Sequence, residues 1–257
     1  MDLKRKLQTL KECDETTYNH SIRCGNYLAM LAEECGKDRV TTQLYREAGY
    51  AHDVGKISIM KYVKSKVNIR DLNEEEFKEY KTALTKHVMF ADSHLKGMSD
   101  WKKEYSDAAN YHHCWYNDQS KGYSVETTRN PNAVPPKRTG IPEVAQMLAV
   151  VDVYDALTDN TRSYRKVALS DEKVKQIMDE NAKNGQFNPS IYRTFMQEIV
   201  PKIKKMDNLE KLEVKITSKE KENKLAAFGI DRNGQPGTTT NRFRQSNQQG
   251  VSVKMFQ

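Results

Sequence analysis

The chain has 257 residues, of which 37% are hydrophobic and 30% charged, and its formal net charge is +7. This length suits one well-formed core with an appendage or two small domains, and the composition is that of a polar, soluble protein. No apolar run approaches the roughly 18 residues of a membrane span, and the charged N-terminus lacks the apolar stretch of a secretory signal, so we expect a cytoplasmic protein with no membrane partner.

The cysteines also favour the cytoplasm. None of the four is paired in a CxxC motif. Cys24 and Cys35 fall on one predicted helix about 16 Å apart, too far for a disulfide bond. We therefore interpret the cysteines as small buried or half-buried thiols in a reducing compartment.

Up to about residue 198 the periodicity is helical, with little strand signal. The stretch 13–37 carries an apolar stripe and ends at Gly36, a residue typical of the position just beyond a helix. His20 extends this stripe towards the N-terminus. The stretch 41–57 continues the pattern and predicts that His52 lies inside a buried helix, together with the residue that follows it.

Further helices are predicted in the second half of this region. Residues 72–97 begin with an acidic first turn, as the helix dipole favours, and carry His87 on their apolar stripe. Residues 140–160 start near a proline and place Asp152 on the apolar line. Two more helical stretches follow at about 171–184 and 185–200.

Two regions depart from this pattern. The polar stretch from Tyr116 to Gly140 predicts a long loop of the kind that is usually functional or a mobile lid. The composition then shifts to polar and basic residues near 200–205, so we divide the chain into a domain at 1–200 and an extension at 201–257. The extension contains two short period-2 segments that could pair as a small sheet, and a solvated, mostly disordered tail is an equal alternative.

Most of the net charge belongs to the extension, which holds 12 Lys/Arg and 6 Asp/Glu, a difference of +6. Arginines interleaved with phenylalanine at 241–250 resemble some RNA-binding segments. A lysine-rich solubilising tail is the interpretation we favour over nucleic-acid binding.

The main functional signal is a set of metal-type side chains at positions where a helical stripe calls for leucine or valine. One histidine on an apolar face is usually a hydrogen-bonded core residue, but four separate helices each place a histidine or aspartate there. Nitrogen and carboxylate donors without thiolates suit Fe, Mn or Zn ions. The predicted ligands are His20, His52, Asp53, His87, His112, His113 and Asp152.

Seven ligands exceed the needs of one ion with open positions, so we expect two divalent ions with Asp53 as the bridge. Asp152 is the most informative ligand, because a carboxylate in an apolar helix is costly without a cation beside it. We interpret His94 as structural or exposed, and Asp155 and Asp159 as helix-capping or surface-paired residues.

The order of these residues over about 13–198 resembles the HD superfamily of metal-dependent phosphohydrolases, and more specifically its HD-GYP subfamily. The resemblance implies an all-α, HD-type helical bundle, here with a loop insertion and a polar, basic C-terminal extension. It also implies a metal centre that hydrolyses cyclic dinucleotides, above all cyclic di-GMP.

The sequence departs from the subfamily at several positions. Cys114 stands where the family has a glutamate, and the Gly-Tyr-Pro signature becomes Gly-Tyr-Ser at 122–124. An insertion at about 125–138 follows it. Thr16 stands where members with three metal ions have a glutamate, so we expect two ions.

The resemblance also implies roles for residues around the metals. Lys56 contacts the scissile phosphate and helps to protonate the leaving oxygen, while Arg162 and Arg165 anchor phosphate groups. As an aromatic residue in a polar loop, Tyr123 can stack on a base or line the pocket, and simple packing is an equal alternative. Two cations bridged by Asp53 would lower the pKa of a shared water enough to give hydroxide for in-line attack.

Two classes of function follow. The first is a cytoplasmic phosphodiesterase that opens a cyclic dinucleotide to the linear dinucleotide or onward to mononucleotides, with Fe or Mn favoured and Zn, Ni or Mg as alternatives. The second is a weak or inactive HD-GYP-like binding or signalling module. An HD hydrolase of another nucleotide phosphate ester is a further alternative, and the sequence is compatible with a homodimer.

Overall fold

A computed structural model describes residues 1–60, 71–159 and 169–208. Every regular element in these ranges is helical, which confirms the predicted all-α class. Arg162, Arg165 and the strand-like segments of the extension lie outside the described residues. Within the described part of the chain, no helix combines the length and apolarity needed to cross a membrane.

Residues 1–60 and 71–96, as the structure describes them, contain four α-helices and a short 3-10 helix. Their bounds are α1 Leu3–Cys13, α2 Glu15–Glu34, α3 Arg39–Ala51, the 3-10 helix Val54–Ile59 and α4 Glu74–Lys96.

The second half contains α5 Lys103–Tyr111, α6 Val125–Arg129, a 3-10 turn Arg138–Gly140, α7 Glu143–Thr158, α8 Asp171–Lys183 and α9 Pro189–Thr194, which continues into a π-helical turn Phe195–Ile199. Contacts along the chain delimit a compact unit from Met1 to Lys202, and a second unit begins at Ile203.

Local capping signals set the helix ends. Asp14 and Asp38 cap the N-termini of α2 and α3 with their side chains, and Asn73 forms a reciprocal capping box with Glu76 at the start of α4. Gly36 follows α2 with a φ of 77°, a left-handed conformation that favours glycine. The sequence therefore specifies these boundaries directly.

Helix α7 lies at the centre of the bundle, since ten of its sixteen residues are buried. Helix α2 packs against both α3 and α7, and α5 packs against α3, α4 and α7. The α2–α3 crossing is close because glycines meet there: a Cβ on Gly49 would lie 2.6 Å from the Gly25 Cα. This approach brings the rings of His20 and His52 to a centroid distance of 5.3 Å.

The structure corrects the predicted extent of α3. The helix ends at Ala51, so His52 and Asp53 form the turn between α3 and the 3-10 helix rather than lying inside one long helix. The apolar periodicity through His52 does not reveal this helix end, because a 3-10 helix follows directly and continues the run of buried residues.

The prediction of a structureless loop from Tyr116 to Gly140 is also wrong. This stretch contains α6 and a 3-10 turn. Helix α6 is tied to the bundle by Arg129, which lies 2.7 Å from the buried Asp92 carboxylate of α4, and by Glu126, which accepts a hydrogen bond of 2.6 Å from Tyr111. These bonds fix the inserted segment.

Candidate metal centre

The structure brings six of the seven predicted ligands together in two clusters, and the seventh, Asp53, lies between them. The ligand atoms within each cluster lie within 4.8 Å of one another. The first cluster comprises His20, Cys24, His52 and Asp152, and the second comprises His87, His112 and His113. His52, Asp53 and His112 form a third such group that links the two. This arrangement can hold metal ions.

Asp53 lies between the two clusters and turns one carboxylate oxygen towards each. Its Oδ2 lies 3.4 Å from His52 Nε2 and 3.7 Å from His20 Nε2, while its Oδ1 lies 3.5 Å from His87 Nε2. A carboxylate in this position can bind one cation with each oxygen.

Three buried imidazoles share one hydrogen-bonding pattern. The Nδ1 of His52, His87 and His112 each faces a backbone carbonyl of the preceding helical turn, at 2.7 Å for His52 and 2.9 Å for His112. A carbonyl only accepts, so Nδ1 carries a proton, and in the neutral ring Nε2 keeps its lone pair. All three Nε2 atoms are buried, and within the described part of the chain none of them has a hydrogen-bond partner.

Such unpartnered atoms are costly unless something else binds them. A divalent cation accepts the lone pair of a neutral imidazole, and the carbonyl bond to the other nitrogen is the usual way in which proteins orient a histidine ligand. The residues present therefore fit a metal centre.

The second cluster consists of neutral imidazoles. Burial lowers the pKa of His87 to about 4 and that of His112 to about 3, and burial also holds the pKa of His113 well below its usual value. These rings are uncharged at neutral pH, and a cation does not have to displace a proton from them.

The carboxylates of the centre are ionised. Burial by itself raises the pKa of Asp53, but the Lys56 ammonium and His52 outweigh it and hold the pKa well below the usual value. Burial also raises the pKa of Asp152, but the hydrogen bond from His20, whose Nε2 lies 3.0 Å from Oδ1, outweighs burial and holds the pKa well below the usual value. The pKa of His52 is lowered by burial but raised more strongly by Asp53, so it is above its usual value.

Lys56 reaches the same centre from the 3-10 helix. Its Nζ lies 2.5 Å from Asp53 Oδ2, and its side chain is 16% exposed. The predicted proximity of Lys56 to the metal-type residues is thus present in the structure.

The sequence did not predict the hydrogen-bond network behind His20. His20 Nδ1 lies 2.7 Å from Asp155, and Arg23 donates to both oxygens of the Asp155 carboxylate at 2.7 and 2.9 Å. Asp155 is 1% exposed, so the surface pairing predicted for it is wrong. The available signal was its spacing of three residues from Asp152, which puts both carboxylates on one face of α7.

Replacing Asp155 by asparagine is expected to weaken metal binding by about 10- to 100-fold, because Asp155 orients His20 through Nδ1. Titration of the metal-free protein with Mn²⁺ or Zn²⁺ measures this. The matched control is Asp159→Asn, which removes the charge of the other carboxylate that accepts from Arg23, at 2.8 Å. Equal losses in both variants would show that only Arg23 packing matters.

The Gly-Tyr-Ser segment lies against the histidine pair. Tyr123 stacks on His113 at a centroid distance of 4.5 Å, and its backbone N–H donates to the His113 carbonyl at 3.3 Å. Gly122 permits this approach because it has no side chain: a Cβ there would lie 2.6 Å from the backbone nitrogen of Trp115. Ser124 is the N-cap residue of α6 and has a φ of −139°, which proline cannot adopt. Its backbone N–H also donates to Thr127 Oγ1, a bond that proline lacks. The loss of the signature proline therefore accompanies the inserted helix.

Two other predictions concern residues outside the clusters. His94, predicted to be structural or exposed, bonds Lys6 through Nδ1 and Ser58 through Nε2, each at 2.9 Å. The predicted phosphate anchors Arg162 and Arg165 lie outside the described residues.

Comparison with known proteins agrees with this geometry. The family model described as HD domain matches residues 17–157, more than half of the chain. This chain belongs to the HD domain family. The match spans the predicted ligands of both clusters, from His20 to Asp152.

One curated relative of this HD domain is the cyclic di-GMP phosphodiesterase PA4108 of Pseudomonas aeruginosa. It is 26% identical over 196 residues, which cover 75% of this chain and 42% of the relative. The chain thus spans about two fifths of the length of the curated relative that it matches.

Solved structures of HD domains share the fold. The HD domain of the phosphodiesterase PgpH of L. monocytogenes in complex with cyclic-di-AMP matches with a TM-score of 0.57 at 17% identity, covering 79% of this chain and 96% of that one. A second structure of the PgpH HD domain matches with a TM-score of 0.57 at 14% identity, covering 78% and 98%. These matches confirm the HD-type helical bundle.

Proposed function

We propose that this chain is a metal-dependent phosphodiesterase of the HD-GYP type that hydrolyses a cyclic dinucleotide, with cyclic di-GMP as the first candidate. The observation that carries the proposal is the position of Asp53, which turns one oxygen to each of two clusters of buried metal-type side chains. The catalytic domain proposed here is residues 1–200, and the substrate enters through the part of the centre that Lys56 and Tyr123 border.

The proposed ligands divide into two sets with Asp53 between them. His20, His52 and Asp152 hold one cation, and His87, His112 and His113 hold the other. Bound divalent cations supply Lewis acidity and lower the pKa of water to near neutrality. The nitrogen and oxygen donors common to both sets suit Fe or Mn.

The residues of the chain itself prepare the site for a phosphodiester. Buried imidazoles with carbonyl-bound Nδ1 atoms are held in one orientation, so the site requires little reorganisation when substrate binds. Lys56 is partly exposed and lies beside Asp53. From there its ammonium group can bind a phosphate oxygen and give a proton to the leaving oxygen.

The choice of a cyclic dinucleotide rests on two supports. The curated relative from Pseudomonas aeruginosa is a cyclic di-GMP phosphodiesterase by name. The aromatic ring of Tyr123, stacked on His113 and half-buried, offers a surface for a nucleobase beside the metal ligands. Arg162 and Arg165 are the proposed phosphate anchors, because arginine forks bind phosphate oxygens in pairs.

The test is hydrolysis by protein purified without oxygen and supplied with Mn²⁺ or Fe²⁺. We expect cyclic di-GMP to be opened to the linear dinucleotide, and cyclic di-AMP and a mixed cyclic dinucleotide serve as the comparison substrates. Metal retained without any linear product would replace this proposal with the binding module. Protein that binds no metal would overturn both.

Replacing Lys56 by methionine is expected to lower kcat by about 10²- to 10⁴-fold, the usual contribution of a positioned proton donor, while metal content stays unchanged. Steady-state kinetics and metal analysis of the same preparation measure the two effects. Lys175→Met is the matched control, because Lys175 forms an exposed pair with Asp179 at 2.6 Å. An unchanged kcat in Lys56→Met would remove this residue from the mechanism.

A further inference from the structure

The first cluster contains a thiol that none of the predicted ligand sets included. Cys24 is fully buried on α2, and its Sγ lies 3.5 Å from His20 Nδ1 and 3.7 Å from His20 Nε2. The same sulfur lies within 4.8 Å of ligand atoms of His52 and Asp152. The spacing of four residues from His20 puts both side chains on one face of the helix.

The hydrogen bonding of His20 does not require this thiol. Both ring nitrogens of His20 already face carboxylates, at 2.7 Å for Asp155 and 3.0 Å for Asp152. In the same cluster, His52 Nε2 is fully buried and has no hydrogen-bond partner among the residues that the structure describes. A soft sulfur donor and an imidazole with an unpartnered nitrogen therefore belong to the same cluster of candidate ligands.

The other buried cysteine near the centre differs. Cys114 directly follows the histidine pair, but its Sγ donates to the Tyr123 carbonyl at 3.5 Å and belongs to none of the three groups of metal-type atoms found among the described residues. Proximity to the histidines alone thus does not place a thiol among the ligands.

We propose that Cys24 is a thiolate ligand of the cation in the first cluster, an inference that rests on the proposed metal-dependent function. The donor set then becomes two imidazole nitrogens, one sulfur and one carboxylate oxygen, with Asp53 as the bridge. A thiolate donor in this set would favour Zn²⁺ or Fe²⁺ over Mn²⁺ and Mg²⁺. Among the described residues the second cluster offers imidazole nitrogens and the Asp53 oxygen but no sulfur, so the two positions would differ in metal selectivity.

The binding step involves no redox change. When the cation binds, the S–H bond breaks, the proton passes to solvent, and the sulfur lone pair forms the bond to the metal. No other reactant is needed.

The experiment uses the full chain, stripped of metal and loaded with Co²⁺. Thiolate bound to Co²⁺ gives a strong near-ultraviolet charge-transfer absorption that imidazole and carboxylate ligands do not give. We expect this band in the wild type and in Cys114→Ser, and its loss in Cys24→Ser and Cys24→Ala while bound cobalt is still measured by metal analysis. Competition is expected to show Zn²⁺ affinity falling by about tenfold or more relative to Mn²⁺ in the Cys24 variants.

Three results would overturn the proposal: wild-type protein that binds Co²⁺ without the band, a band that persists in the Cys24 variants, or a band lost equally in Cys114→Ser. Cys24→Ala guards against a folding defect specific to serine, and far-ultraviolet circular dichroism of each variant checks this. The band is independent of turnover. A chain that shows it but hydrolyses no cyclic dinucleotide would refute the proposed activity and leave Cys24 as a ligand.

Discussion

Asp53→Asn is expected to lower kcat for the cyclic dinucleotide by at least about 10³-fold and to reduce the bound metal. Asp53 turns one oxygen to each cluster, and asparagine offers only one neutral oxygen in the same volume. Charge stabilisation by metal ions contributes several kcal/mol to a transition state, and about 4 kcal/mol corresponds to a factor of 10³ in rate. Metal analysis and single-turnover kinetics measure the two effects separately.

The matched control is Asp92→Asn. Asp92 is another buried aspartate, 1% exposed, but it bonds Asn110 and Arg129 outside the metal-type clusters. We expect this variant to lose thermal stability and to keep its metal. If Asp53→Asn retained both its metal and its rate, the bridging role of Asp53 would be refuted.

Gly55→Ala is expected to destabilise the protein by about 3 kcal/mol and to lower its Tm by roughly 10 °C. A Cβ on Gly55 would lie 1.9 Å from the His87 carbonyl oxygen and 2.5 Å from the Ala91 nitrogen. Both contacts are backbone atoms of α4, so no side chain can move aside to make room. The 3-10 helix must shift away from α4, which separates Asp53 from His87.

Gly97→Ala provides the comparison, because a Cβ on Gly97 would meet Ser93 O only at 3.7 Å, an ordinary van der Waals distance. We expect this variant to melt within about 2 °C of the wild type, as for most substitutions at permissive sites. Thermal unfolding and metal titration of both variants make the test. Equal melting temperatures in the two variants would show that the backbone approach at Gly55 is not tight.

Much of the fold could be predicted from local patterns. The acidic first turn of α4 and the glycine after α2 mark real helix ends, because capping depends on residues within one turn of each other. The end of α3 could not be predicted in this way. A 3-10 helix follows the turn at His52 without interrupting the run of buried residues, and only tertiary packing reveals the change of backbone geometry.

The candidate site follows the same division. The sequence predicted which histidines and aspartates meet at the candidate site, because a residue on an apolar stripe must face the core. It did not predict Asp155 as the partner of His20, nor Cys24 as a neighbour of both His20 and His52. Those contacts join α2, α3 and α7, and their existence depends on how closely the helices cross.

The sequence by itself determined the helical class and the chemical identity of the candidate ligands, since both follow from the spacing of side chains within single segments. Tertiary structure alone decided the division into two clusters and the orientation of Asp53 towards both. It also decided the close approaches at Gly25, Gly49 and Gly55 that bring the ligand-bearing elements together. The physical reason is distance: periodicity fixes the face that a residue occupies, whereas a metal site is defined to within about 0.2 Å by packing between segments far apart in the chain.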